Sequence, residues 1–97
     1  MGGIFKNIGS VLVTVNMNRE LRDLVTNTIM KEGPNCDLNF IDTSKITDMS
    51  WMFDHSSFNN NISGWDVSKV KNMDGMFSNS KLEELGKLPI WYKQSAR

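Results

Sequence analysis

Two consecutive segments of 24 residues repeat one another in this chain. Residues 34–57 and 58–81 align without a gap and share eight identical positions. Most of these identities fall in the pattern D-x-S-K-[IV]-x-x-M-x-x-M-F. A repeat of this length usually forms one supersecondary unit, which buries its apolar side against the next unit. The repeat therefore limits the chain to folds in which similar short units pack side by side.

Each repeat is predicted to contain a short strand, a turn and a short helix. Apolar pairs predict strands at 38–42 and 62–66, and Ser44 and Ser68 follow at positions that suit a helix N-cap. Because parallel strands joined through a helix take a right-handed connection, we expect an α/β fold, a short right-handed solenoid of parallel strands and short helices. The apolar face of the predicted helices consists of Ile46, Met49, Met52 and Phe53, and of Val70, Met73, Met76 and Phe77.

An N-terminal strand and helix are predicted to cover one end of this solenoid. Val11–Val15 is rich in β-branched residues, as strands are. The pattern that follows predicts an amphipathic helix from about 17 to 32. Asn16 or Asn18 is expected to cap this helix, and Gly33 is expected to end it.

The whole chain, residues 1–97, is predicted to be one domain, because its length suits a single small domain. Residues 82–92 are predicted to form a degenerate third strand, in which Pro89 limits further pairing. The expected divisions are an N-terminal cap at 1–33, repeats at 34–57 and 58–81, and a C-terminal cap at 82–97.

Charge and hydropathy exclude several classes of partner. Eleven basic residues balance eleven acidic ones, so the chain lacks the excess positive charge that is typical of nucleic-acid binding. No apolar run reaches the roughly 18–20 residues that a membrane helix needs. The N-terminal residues do not form a convincing secretion signal. We therefore expect no free nucleic acid and no membrane as partner, and a location in the cytoplasm of a bacterium or phage-infected host, with secretion left open.

Residues that could perform catalysis or bind a metal are few. Cys36 and His55 could form a thiol–imidazole pair, but they align with Asn60 and Asn79 and so occupy ordinary variable positions. The acidic residues of the repeats do not follow the D-x-[DN]-x-[DN]-G spacing of a calcium loop. We therefore expect no catalytic residues, no cofactor and no metal ligands, and we expect that the protein is not an enzyme.

The repeat resembles a known family. Residues 58–77, F-N-N-N-I-S-G-W-D-V-S-K-V-K-N-M-D-G-M-F, and residues 41–53, I-D-T-S-K-I-T-D-M-S-W-M-F, resemble the repeats of the BspA-like leucine-rich-repeat family. The resemblance implies a right-handed leucine-rich-repeat-like solenoid with a binding role. Many members of that family are bacterial surface proteins that adhere to other molecules. Two repeats without an export signal are more similar to small stand-alone members from bacteria, phages or mobile elements.

These features predict a non-enzymatic protein-binding module. Aromatic residues that interrupt a repeat are candidate contact residues, because an exposed aromatic side chain is a common anchor for a partner. Trp51 aligns with Gly75, and Phe40 aligns with Gly64. The predicted partner-binding residues are Trp51, Phe40, His55 and Asp54. For Trp51, packing beneath the N-terminal helix is the alternative.

The sequence is compatible with two narrower functions and with one form of self-association. The small size and the missing export signal favour a phage- or mobile-element-encoded inhibitor of a host protein or nucleoprotein complex. The alternative is a fragment of an exported bacterial surface or adhesion protein. The uncovered strand edges of a solenoid would also allow a homodimer joined through the solenoid ends.

Overall fold

The computed structural model describes residues 12–92, so the outer parts of both predicted caps, at 1–11 and 93–97, lie outside the described residues. The elements are β1 (Val13–Thr14), α1 (Asn18–Glu32), β2 (Ile41–Asp42) and α2 (Lys81–Leu85). β1 and β2 pair in parallel, with Val13 opposite Ile41 and Thr14 opposite Asp42. Of the strand predicted at Val11–Val15, the first residue lies outside the described chain.

The prediction of a solenoid built from strand–helix units is wrong. Segment A, as we call residues 34–57, contains one strand of two residues, and segment B, residues 58–81, contains no strand. No helix lies between Gly33 and Ser80, where two were predicted. The described chain is instead a small fold with one parallel strand pair, one main helix and one short helix, in which turns make up most of segments A and B.

Asp and Asn side chains that accept backbone N–H groups take the place of the predicted helix caps. The Asp42 carboxylate accepts the Ser44 N–H at 3.0 Å, and the Asp66 carboxylate accepts the Ser68 N–H at 2.9 Å. In each case the Asx side chain closes a turn onto the backbone two residues later, which favours a turn over a helix. The same bond joins Asp37 to Asn39, Asn61 to Ser63, Asp48 to Ser50 and Asn72 to Asp74.

The backbone N–H groups of residues 49–56 donate alternately to acceptors within segment A and to carbonyls of segment B. Those of Met52, Asp54 and Ser56 donate to carbonyls three residues earlier in the chain. Those of the intervening residues cross to segment B, in the pairs Met49 to Asn72, Trp51 to Asp74, Phe53 to Met76 and His55 to Ser78, at 2.7–2.9 Å. A helix would need every N–H to donate within its own segment. The three-residue apolar spacing therefore arises from successive turns, and the two segments lie parallel.

α1 lies within one residue of its predicted bounds, but its predicted cap is wrong. Met17 occupies the N-cap position without a side-chain hydrogen bond to the helix. The Asn18 amide donates instead to the Asp48 and Ser50 carbonyls, at 3.1 and 3.2 Å, and so ties α1 to segment A. Gly33 ends the helix with a φ of 94°, as expected for glycine at this position.

The core contains a row of aromatic rings contributed by both segments. The Phe53 and Phe77 rings stack with their centroids 5.3 Å apart, and Phe58 stacks on the other side of Phe53 at the same distance. The Tyr92 ring meets Phe77 edge-on at 4.9 Å. These rings, with Leu21 and Val25 of α1, form one continuous apolar cluster.

The third strand predicted at 82–92 is also absent, because its first residues form α2. Ser80 accepts the Glu83 N–H at 3.1 Å, and the Glu83 carboxylate accepts the Asn79 N–H at 2.9 Å. The two bonds form a variant of the capping box, because the Glu83 carboxylate accepts the N–H of the residue before the N-cap Ser80, and Gly86 ends the helix with a φ of 70°. The sequence S-K-L-E-E-L-G contains both signals.

We predict that aligned methionines differ in their contribution to stability. Met49 is fully buried beneath segment B, whereas Met73 is only half-buried because no further segment of residues 12–92 covers it. Met49→Ala should lower the free energy of unfolding by about 2–5 kcal/mol, and Met73→Ala by about 1 kcal/mol. Urea unfolding of the two variants measures the difference. Equal losses would contradict the uncovered position of segment B.

We also predict that acid weakens the Asx turns. Hydrogen bonds from the Ser50 hydroxyl and N–H lower the pKa of Asp48, and bonds from Ser68 do the same for Asp66. A carboxyl whose pKa is lower in the folded chain stabilises it above the ordinary aspartate pKa of 3.8, and this stability is lost as the pH falls through the lowered value.

Urea unfolding between pH 6 and pH 2 tests this prediction, since the free energy of unfolding should fall below about pH 4. The Asp48→Asn, Asp66→Asn double variant is the control. Asparagine supports the same turn at Asn72, so the variant should fold and should lose part of the pH dependence. An unchanged slope in this variant would contradict the assignment.

Candidate functional site

Trp51 and His55 lie in the left-handed region of backbone conformation, with φ of 57° and 58°. The aligned residues of segment B, Gly75 and Asn79, have φ of 62° and 54°, so the turn geometry itself requires this conformation in both segments. Glycine adopts it freely, and asparagine and histidine are enriched in it. For a bulky residue such as tryptophan it costs roughly 1–2 kcal/mol. Trp51 is therefore the most unfavourable of these four residues.

The Trp51 indole packs directly on Gly75. A Cβ atom added to Gly75 would overlap the six-membered ring of the indole, so only glycine leaves room for it. The residue is nevertheless 48% exposed, which leaves much of the ring in contact with solvent. α1 contacts the preceding residue, through the Asn18 amide and the Ser50 carbonyl at 3.2 Å. The indole thus lies on segment B rather than beneath the helix.

Asp54 and His55 form a polar pair beside a groove. The His55 Nδ1 and Asp54 Oδ1 atoms lie 2.9 Å apart, and the His55 side chain is mostly exposed. The groove runs between α1 and residues 52–57. Its walls include Arg22 and Met30 of α1, and Met30 is highly exposed. The groove therefore combines an aliphatic thioether with charged and polar groups.

Phe40 lies apart from the other predicted contact residues. Its side chain is half-buried against the core, and its carbonyl accepts the Val13 N–H at 2.9 Å. Among the rings of residues 12–92, no contact joins Phe40 to Trp51. The stretch 51–55 therefore brings together Trp51, Asp54 and His55, whereas Phe40 supports the strand pair.

A second groove is lined by asparagines whose amides already have structural roles. The Asn60 amide donates to the Asn35 and Cys36 carbonyls, at 2.9 and 3.1 Å. Asn61 accepts the Ser63 N–H at 2.7 Å. Lys87 is the charged residue in its wall. Because these side chains hold the turns together, this groove offers less recognition chemistry than the one beside α1.

Neither thiol nor metal chemistry gains support from the geometry. Cys36 is buried, and burial raises the pKa of its thiol, which disfavours the thiolate that a nucleophile needs. Within residues 12–92, no cluster of three His, Cys, Asp or Glu side chains could hold a metal ion. None of the helices in that range has the length and apolar character required to cross a bilayer.

Sequence reasoning did not identify the groove residues of α1 or the role of Gly75. Arg22 and Met30 lie on an ordinary amphipathic helix, and nothing in their spacing marks them. Gly75 did have a signal, because it is the residue aligned with Trp51. A large aromatic residue opposite a glycine in a neighbouring segment suggests that the ring lies over the glycine.

We predict that the left-handed conformation of residue 51 causes a measurable difference in the free energy of unfolding between a glycine and an alanine variant. Trp51→Gly and Trp51→Ala both remove the indole, but only alanine retains the unfavourable φ of 57°. Trp51→Gly should therefore be more stable than Trp51→Ala by about 1 kcal/mol, the reverse of the order in a helix. Urea unfolding measures this difference. An alanine variant of equal or greater stability would contradict the assigned conformation.

Comparison with known proteins gives a family but no assigned function. No curated protein and no solved structure shows significant similarity to the chain. Residues 16–90 match the family described as Mycoplasma protein of unknown function, DUF285. Since the match covers most of the chain, the protein belongs to this family.

Proposed function

We propose that the protein is a non-enzymatic protein-binding module, whose contact surface is centred on residues 51–55. The conformation of Trp51 is the observation that carries the proposal. Gly75 holds the same backbone conformation in segment B without strain, so the fold does not need a tryptophan at residue 51. Unfavourable backbone conformations held by the surrounding structure are common where a chain contacts a ligand.

The surroundings of Trp51 suit a protein interface. Tryptophan is enriched among the few residues that contribute most of the free energy of binding, and its large apolar surface is already half-exposed here. Asp54 and His55 lie three and four residues further along, with polar atoms that can hydrogen-bond to a partner. An apolar anchor beside polar groups is the usual arrangement of such an interface.

The neighbouring groove extends this surface. Met30 is 78% exposed, and its flexible side chain can adapt to differently shaped partners. Arg22 lies in the same groove, and arginine is also enriched at interfaces. The raised pKa of the buried Cys36 thiol supports a binding role over thiol catalysis.

Several narrower expectations stay predictions. These are the resemblance to BspA-like repeats, the inhibitor encoded by a phage or mobile element, the exported adhesion fragment, the cytoplasmic location and the homodimer.

Site-specific photo-crosslinking tests the proposal. A photoreactive phenylalanine derivative is placed at His55, or at Ile90 as the control, because Ile90 is 87% exposed and lies outside residues 51–55. Each protein is irradiated in a lysate of its source organism. We expect specific protein adducts from position 55 and not from position 90.

A second variant shows whether Trp51 is the anchor. Trp51→Gly keeps the backbone conformation and removes the indole, so the yield of adducts at position 55 should fall at least about tenfold. Circular dichroism and a melting curve verify that this variant is folded. Adducts that form equally at position 90, or that persist in the folded Trp51→Gly variant, would refute the proposal.

A further inference from the structure

Segment B has a row of backbone donors that find no acceptor within the described range 12–92. In segment A, the N–H groups of Met49, Trp51 and Phe53 donate to carbonyls of segment B. The aligned N–H groups of Met73, Gly75 and Phe77 have no acceptor among residues 12–92. The next N–H in the row, that of Asn79, donates to the Glu83 carboxylate at 2.9 Å. The row of donors is therefore open as far as the start of α2.

Apolar side chains beside this row are also uncovered. Thr43, Ile46 and Met49 of segment A are at most 2% exposed. Their aligned residues in segment B, which are Val67, Val70 and Met73, are all half-buried. Residues 91–92 cover a different part of segment B, since the Trp91 indole donates to the Ile62 carbonyl and Tyr92 packs on Phe77. We call the half-buried side chains of Val67, Val70 and Met73, together with the N–H groups of Met73, Gly75 and Phe77, the open edge.

We propose that the open edge binds a segment of another protein that follows the same succession of turns as residues 71–78 and runs parallel to them. Carbonyls at alternate residues of this segment accept the N–H groups of Met73, Gly75 and Phe77. Its aliphatic or thioether side chains cover Val67, Val70 and Met73. The proposal does not depend on the surface at residues 51–55. Main-chain hydrogen bonds between a peptide and an open edge are a common mode of peptide recognition.

The contact between segments A and B supplies the template for this binding. Segment B lies on segment A through the carbonyls of Asn72, Asp74 and Met76, with N···O distances of 2.7–2.9 Å. The two segments share eight identities, among them Met49 with Met73 and Phe53 with Phe77. The open edge therefore repeats a surface that already holds a segment of successive turns within the same molecule.

A folded second copy does not supply the required carbonyls from its own segments. The carbonyls of Asn72, Asp74 and Met76 already accept N–H groups of segment A. The corresponding carbonyls on the outer side of segment A, at Asp48 and Ser50, accept the Asn18 amide. Since segments A and B of a second copy do not offer these carbonyls, we assign the bound segment of turns to a different protein.

The residue at position 75 affects which segments fit. The residue opposite Trp51 has to be glycine, because the indole lies over it. Gly75 has no side chain to lie over an added segment, so the residue opposite it can be larger. The open edge thus selects for apolar side chains over Val67, Val70 and Met73 without requiring glycine.

A peptide titration tests the proposal. The probe is a peptide with blocked ends that copies residues 70–78, V-K-N-M-D-G-M-F-S, because this stretch lies on segment A within the protein. The control peptide replaces both methionines by aspartate. Amide NMR spectra of the full chain should show saturable shifts at Met73, Gly75 and Phe77, with slower hydrogen exchange there, and the control peptide should cause neither.

A protein variant provides a second measurement. Met73→Asp should fold, because Met73 is only half-buried, and should bind the probe at least about tenfold more weakly. Lack of saturation at millimolar peptide would overturn the proposal, and so would shifts confined to α1 and residues 51–57. Self-association that protects residues 73–77 would also overturn it, because the occupant would then be a second copy. None of these results would affect crosslinking at position 55.

Discussion

The hydrogen bond that an Asp or Asn side chain accepts from the backbone N–H two residues later is the interaction on which this fold depends. It occurs at matching places in segments A and B, as in Asp42 with Ser44 and Asp66 with Ser68. Because both segments turn at the same positions, the N–H groups of one meet the carbonyls of the other in a constant register. A fold with so little regular strand and helix can therefore still satisfy much of its buried backbone.

The turns have a second effect, because they require left-handed residues at fixed positions. Glycine and asparagine meet this requirement in segment B at little cost in free energy. Segment A has Trp51 and His55 at the same positions, and both side chains are exposed to solvent. The left-handed turn positions are shared by the two segments. In segment A these positions carry Trp51 and His55 in place of glycine and asparagine, and the candidate contact surface lies there.

The sequence was sufficient to predict α1, but it was not sufficient to predict the structure of segments A and B or the place of Phe40. α1 was predictable because a long amphipathic pattern ending in Gly33 has few alternatives. The segment helices were not, because a three-residue apolar spacing is shared by short helices and by successive turns, and only the alternating N–H acceptors distinguish the two. Asp54, His55 and Trp51 lie on one stretch simply because they are close in sequence. Phe40 was grouped with them only through its aligned glycine, and its surroundings depend on β1, which the repeat does not describe.

The contact between Trp51 and Gly75 links two positions that are far apart in the chain. An indole at position 51 is compatible with glycine at position 75 and with no residue that has a Cβ atom. Substitutions at the two positions are therefore not independent during evolution. A relative that gains a side chain at position 75 has to displace or lose the indole, so a change at one position alters which residues suit the other.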